Sequence, residues 1–191
     1  MLALKMPNSA VLRRSGFTLI ELMVTLAIVA ILASLAAPQF QRTIANSNLK
    51  STANSFNAAI LQARSEAIKN NRSTYVQNTS GTDFSQGWIV FVDNNANSTF
   101  ESGTDTLVLS SGPLAGGVAS IGALTNKTAF RFDSNGYLRT ISAAAGTPNG
   151  SVGFGLSPNP WGDNVRCIVV ALSGRARIVS QATTVSSCPT T

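Results

Sequence analysis

Histidine is absent from all 191 residues. That removes Ser-His-Asp and Cys-His nucleophilic systems and most zinc sites, which need an imidazole as base or ligand. Charge is sparse as well, at 12% of residues, while 44% are hydrophobic. A chain of this balance has enough apolar material for a core and is not disordered by composition. No repeat of solenoid period and no low-complexity linker interrupts it. Cysteine is limited to Cys167 and Cys188.

The few charges are unevenly placed. The formal net charge is +6. Lys5, Arg13 and Arg14 precede the first apolar run with no acid among them, so the basic pI is partly a targeting signal. The run itself, Phe17 to Ala37, carries one charge, Glu21. As a helix it spans about 30 Å, the thickness of a bilayer's hydrocarbon core. The two arginines before it put the N-terminus in the cytoplasm and the rest outside. An ordinary cleaved secretory signal would share the basic start, and Ser34-Leu35-Ala36 would serve as its cleavage site. Glu21 argues against that reading. An intramembrane carboxylate costs about 2.5–3.5 kcal/mol on insertion scales, which a disposable signal has no use for. A retained helix could pair it with a cation in an assembly. In an exported chain the two cysteines read as a disulfide, a crosslink of about 3 kcal/mol for a loop of roughly 20 residues.

Beyond Pro38 the pattern turns amphipathic. Leu49, Ala53, Phe56, Ile60, Ala63 and Ala67 form one apolar stripe, with Lys50, Asn54, Asn57, Gln62 and Arg64 off it. Asn70-Asn71 reads as a stop, so one helix is expected over Phe17–Lys69, kinked or locally unwound at Pro38. After Asn71 the period changes. Short strands are expected at Ser73–Gln77, Trp88–Val92, Thr106–Leu109, Thr128–Phe132, Tyr137–Ile141, Ser151–Leu156, Val165–Leu172 and Ala176–Val179. Asp133-Ser134-Asn135-Gly136 fits a hairpin turn, with Phe130, Phe132 and Tyr137 on one face. The fold class is therefore α+β: a long N-terminal helix packed on a small antiparallel sheet. Its parts are a leader (1–16), a membrane helix (17–37), an amphipathic continuation (38–70) and a strand-rich head (71–191).

Three local patterns invite chemistry. Ser47-Asn48-Leu49-Lys50 fits S-x-x-K, but on an amphipathic helix without supporting motifs. Gly150-Ser151-Val152-Gly153-Phe154-Gly155 is glycine-rich, yet no helix follows to receive a phosphate. Asp93 to Glu101 places oxygen ligands at alternate positions, as calcium loops do. It has Ser98 where such loops need Gly and Thr104 where the bidentate Glu belongs, so calcium and a side-chain-bonded turn both remain open. Near the C-terminus, Arg175 and Arg177 fall on one side of a strand, and Arg166 is on the preceding one. Such an edge suits phosphates; it equally serves as solvated charge that protects an edge strand. No aromatic residue neighbours Arg175 or Arg177 in the chain to stack on bases.

Arg13-Arg14-Ser15-Gly16-Phe17-Thr18-Leu19-Ile20-Glu21 resembles the processing site of type IV pilins and type II secretion pseudopilins. The resemblance implies cleavage by a prepilin peptidase between Gly16 and Phe17, N-methylation of Phe17, docking of Glu21 on a neighbouring subunit's N-terminal amine, and a helix kink at Pro38. The head is similar to the GspH/FimT branch: Gln62-Ala63-Arg64-Ser65-Glu66-Ala67, Gly87-Trp88-Ile89-Val90-Phe91-Val92-Asp93, Phe130-Arg131-Phe132 with Gly136, and Gly174-Arg175-Ala176-Arg177. These features imply a minor pilin of the bacterial inner membrane, head in the periplasm, that joins a filament with other pilin subunits at its tip or in its priming. The alternative is an H-type pseudopilin acting in protein export. Minor pilins of the FimT type are associated with DNA capture through Gly-Arg-x-Arg, which implies non-specific duplex DNA as a partner of Arg175 and Arg177, with Arg166. No cofactor, metal or enzymatic activity is expected.

Overall fold

The computed structural model describes residues 16–79, 84–114, 116–121, 129–140, 150–156, 165–181 and 188. They belong to two compact units, Met1–Phe40 and Gln41–Thr191. Helix α1 (Leu19–Asn70) enters the first unit and ends in the second, with Pro38 inside it. Its end agrees with the expected stop: Asn71 has φ 50, and the Arg72 N–H donates to the Ala67 carbonyl at 3.2 Å. Asn tolerates this left-handed position and lets the last carbonyls find donors.

In the second unit the expected stripe is the buried one. Leu49, Ala53, Phe56, Ile60, Ala63 and Ala67 are all buried, joined by Ala45 and Ala59. Most are alanines, so β-strands can approach the helix closely, and Phe56 fills the space between. Among the described residues nine strands follow, all antiparallel in their ladders. Strands β1 (Thr74–Asn78), β2 (Trp88–Val92), β3 (Thr106–Ser111), β5 (Ala129–Phe132) and β6 (Leu138–Thr140) form a sheet in the order β3-β2-β1-β5-β6. Strands β4 (Val118–Ile121), β7 (Gly150–Leu156), β8 (Val165–Val170) and β9 (Ala176–Gln181) form another, β4-β7-β8-β9. The expected strands agree within a few residues; Thr128 and Ile141 lie outside the described residues. Strand β4 was not expected. It is four residues long and follows Gly116-Gly117, too short for its alternation to register, and it gains its pairing from β7.

Two sheets stand where one was expected, because strand pairing is set by tertiary packing that local pattern does not encode. Both send aromatic rings to Phe56. Its ring meets Trp88 at 5.0 Å, Phe130 at 5.9 Å and Phe154 at 5.3 Å, and Phe84 at 5.0 Å, all edge-on. Trp88 and Phe130 belong to the first sheet and Phe154 to the second. Edge-to-face pairs of this kind add about 0.5–1.5 kcal/mol each beyond area burial. On the far face of the first sheet, Tyr75 stacks on Phe91 at 5.1 Å, and Phe91 meets Phe100 at 5.3 Å.

The alternation of the β5–β6 hairpin needs a correction. Phe130 and Phe132 are buried, but the residue paired with Phe132 is Leu138. Tyr137 belongs to the turn and is 50% exposed. The turn is one residue longer than the simple Asp133–Gly136 reading, which shifts the inward position by one. Cys167 and Cys188 form the expected disulfide, with Cα atoms 5.6 Å apart. Both are buried with Val165 under Val179, so the bridge ties Cys188 to the outer face of the second sheet.

Truncating the shared ring is the sharpest test of this packing. Phe56→Ala is expected to cost about 3–5 kcal/mol, read by denaturant unfolding of the detergent-solubilised chain. A loss below about 1 kcal/mol would mean that the sheets do not depend on this ring.

Candidate interaction sites

In the first unit the apolar side chains from Phe17 to Phe40 are exposed, with Phe17 at 88%. The stretch is long and apolar enough to cross a membrane. Its only charge is held locally. The Thr18 N–H donates to Glu21 Oε2 at 2.8 Å and the Thr18 hydroxyl donates to the same oxygen at 3.0 Å. The Glu21 N–H donates back to Thr18 Oγ1 at 3.2 Å. This is a reciprocal capping box, and it starts α1 at Leu19 rather than at Phe17. Thr18 was not singled out from the sequence, although its spacing to Glu21 is the T-x-x-E signature of such a cap. Glu21 thus has a partner within its own chain.

The loop after β2 uses its carboxylates on its own backbone. Asp93 accepts the Ser98 N–H at 2.9 Å on Oδ2 and the Asn97 N–H at 3.3 Å on Oδ1. Asp105 accepts the Asn94 and Glu101 N–H groups, each at 2.9 Å. Asn95 and Asn97 each accept an N–H two residues on, from Asn97 and Thr99. Asp105 closes the loop from the start of β3, a role the sequence did not reveal. The side-chain-bonded turn, one of the two readings left open, is therefore formed.

The C-terminal arginines separate. On the second sheet Ile178 and Ala176 pack against the core, so the intervening Arg177 is on the outer face, paired with Val169. Arg175 directly precedes β9; both arginines are exposed. Neither forms an ion pair with a described residue. Arg166 does not join them. It pairs with Ser180 and Phe154, on the face that buries Ile168 and Phe154, and is half-buried. Paired residues of antiparallel strands share a face, so its register places it opposite Arg177.

Gly174, which opens the Gly-Arg-x-Arg run, has a separate task. Its φ is +75, and a Cβ there would collide with the Gly136 carbonyl oxygen and crowd the Arg64 side chain. Arg64 Nε donates to the same Gly136 carbonyl at 3.2 Å, and the Leu138 N–H donates to the Leu172 carbonyl at 2.9 Å. The β5–β6 turn, the β8–β9 turn and the last turns of α1 therefore meet at one point. Asp133 shapes the first of these turns. Burial raises its pKa, but the Tyr137 N–H at 2.9 Å, Arg139 Nε at 2.9 Å and the Asn135 N–H hold the carboxyl below the usual range. It is ionised at neutral pH and offsets the charge of Arg139.

A cleft of about 160 Å³ lies between α1 residues Asn48, Ser51 and Ser55 and the loop Ser111–Leu114, over Trp88. No acid or base is among its described lining residues.

An exposed apolar N-terminal helix whose continuation packs beneath an antiparallel head is the architecture of type IV pilin-like subunits. Residues 52–174 match the family described as Type II transport protein GspH, and residues 12–37 match the prokaryotic N-terminal methylation motif. The chain belongs to the GspH family, whose members are minor pilins and pseudopilins. Two crystal forms of the Pseudomonas aeruginosa type IV minor pilin FimU are similar, with TM-scores of 0.55 and 0.53 at 17% and 16% identity. They cover 72% and 71% of this chain and 96% and 98% of FimU. The Vibrio cholerae minor pseudopilin EpsH gives a TM-score of 0.46 at 13% identity, over 70% of this chain and 97% of EpsH. No curated protein matches with significance.

The turn junction makes a stability prediction. Gly174→Ala should cost about 1–3 kcal/mol, because a positive φ and a backbone collision are both forced on the new side chain. Thermal unfolding of the full chain measures it. An unchanged melting temperature would show that the two turns do not pack this closely.

Proposed function

We propose that the chain is a minor pilin of a type IV pilus that is cleaved between Gly16 and Phe17, methylated on Phe17 and held in the bacterial inner membrane by residues 17–37. The head lies in the periplasm until the subunit enters the filament at its tip or during priming. Prepilin peptidase and other pilin subunits are its partners. The observation that carries this reading is the match to the N-terminal methylation motif over residues 12–37, leading into a helix whose apolar side chains are exposed as far as Phe40. Such a surface needs lipid or other helices around it. Glu21 docks on the amine of a neighbouring subunit while Thr18 fixes the rotamer of its carboxylate. Pro38 supplies the point at which the helix bends or unwinds in assembly.

Glu21→Ala should keep or improve membrane insertion, since a charge is removed from the apolar run, and should lower incorporation into filaments. Intact-mass measurement of the membrane-extracted protein checks the processing in the same preparation. A mature N-terminus at Ala37 or Pro38, or undiminished incorporation of the mutant, would overturn the reading.

Within that role the head holds DNA through Arg175 and Arg177, which are exposed, share a strand edge and form no ion pair with a described residue. Two phosphate contacts give weak, sequence-independent binding, in the range of ~10⁻⁴–10⁻⁶ M, with a salt slope of about −2. Capture for uptake then needs several heads. Titrating labelled duplex against the full chain in non-ionic detergent is expected to show this binding in the wild type and its loss in the double variant Arg175→Gln, Arg177→Gln. Equal affinities would falsify the DNA role. The family's description as a type II transport protein favours a second reading, an H-type pseudopilin in protein export. Loss of secretion rather than of transformation in a deletion strain would select it.

A further inference from the structure

The exposed Tyr137 and the Arg175–Arg177 edge are distant in sequence but adjacent in the fold. Two contacts establish this. Gly136 presses its carbonyl on Gly174, and the Leu138 N–H donates to the Leu172 carbonyl at 2.9 Å. They are two residues apart on each chain and run in opposite senses. Tyr137 lies between the contacting residues on its side, and Arg175 follows directly after Gly174 on the other. The Tyr137 main chain is fixed as well. Its N–H donates to Asp133 Oδ1 at 2.9 Å and its carbonyl accepts the Asp133 N–H at 3.0 Å. Its side chain has no such anchor: the residue is 50% exposed and its ring is in no aromatic pair among the described residues. A large aromatic residue at half exposure, on a turn whose backbone abuts the one leading into Arg175 and Arg177, with neither arginine in an ion pair with a described residue, supplies a stacking face close to a cationic edge.

We propose that Tyr137 is a base-stacking residue, and that the Tyr137–Arg175–Arg177 junction takes single-stranded nucleic acid. The inference rests on the DNA-binding reading above and adds the ligand class. In a duplex the bases stack on one another and offer no face to Tyr137, whereas a single strand offers one. Stacking of a base on an aromatic side chain is sequence-tolerant. The phosphates on either side fall to Arg175 and Arg177. Arg139, the nearest other cation on the turn's own hairpin, is neutralised by Asp133 at 2.9 Å and is not counted as a contact.

The test uses the full chain in non-ionic detergent at low salt, with a labelled thymine homopolymer strand and a labelled duplex of equal length. Tyr137→Ala is expected to weaken strand binding about tenfold, in line with stacking contributions elsewhere, and to change duplex binding by less than about twofold. Tyr137→Phe keeps the ring and should bind both as the wild type does. Tyr137→Trp should show fluorescence quenched by the strand, beyond any change in the unsubstituted protein. An equal loss on strand and duplex, no loss on the strand, or an unquenched tryptophan would overturn the stacking assignment while Arg-dependent binding persists. If the wild type binds neither probe, or the double arginine variant binds as well as the wild type, the DNA reading fails and the stacking assignment with it.

Discussion

Phe56 occupies the place where two sheets need a common partner. A single helix offers one stripe, and here that stripe is mostly alanine, which brings strands close but leaves little volume to pack against. One large ring at its centre can be reached edge-on from Trp88 and Phe130 on one side and from Phe154 on the other. The sheets have separate ladders, so their common attachment to the helix gives them a shared core. Adding bulk elsewhere on the stripe would push strands away, and removing it at Phe56 would leave each sheet with half a core. The alanines and the phenylalanine are therefore one arrangement.

A second constraint acts at the helix end. Arg64 lies just off the apolar stripe, so it can reach past the core to the Gly136 carbonyl. That carbonyl also abuts Gly174. Three elements from different parts of the chain are registered there by two glycines and one guanidinium. Where Arg175 and Arg177 project is thus decided as much by the helix and the β5–β6 turn as by β9 itself.

Much of this was legible in the sequence. The helix stripe is a 3.6-residue period with hardly an exception, and the strands Trp88–Val92 and Ala176–Gln181 carry clear alternation or β-branched content. The disulfide was expected from two cysteines behind a basic, then apolar, N-terminus. What escaped detection depends on distance along the chain. Strand β4 exists because β7 is beside it. Arg166 looked like a neighbour of Arg175 and Arg177 by spacing alone, but register turned it to the other face. Tyr137 was assigned inward because a turn was read one residue short. No aromatic adjoins Arg175 in sequence, and only the contact of two turns brings one near. Thr18 is different: its T-x-x-E spacing was visible but was overshadowed by the apolar run.

The capping box at Thr18 and Glu21 also makes the start of α1 self-contained. Every donor and acceptor in it lies within residues 18–21, so the cap itself is complete from Thr18 onward. Loss of the basic stretch by the proposed cleavage would leave the donors and acceptors of the cap in the chain. On the proposed cleavage the change at that boundary would be electrostatic: three positive side chains, Lys5, Arg13 and Arg14, would be exchanged for a single terminal amine four residues from a carboxylate already fixed in position. The cap insulates the fold of the helix from the chemistry at its tip.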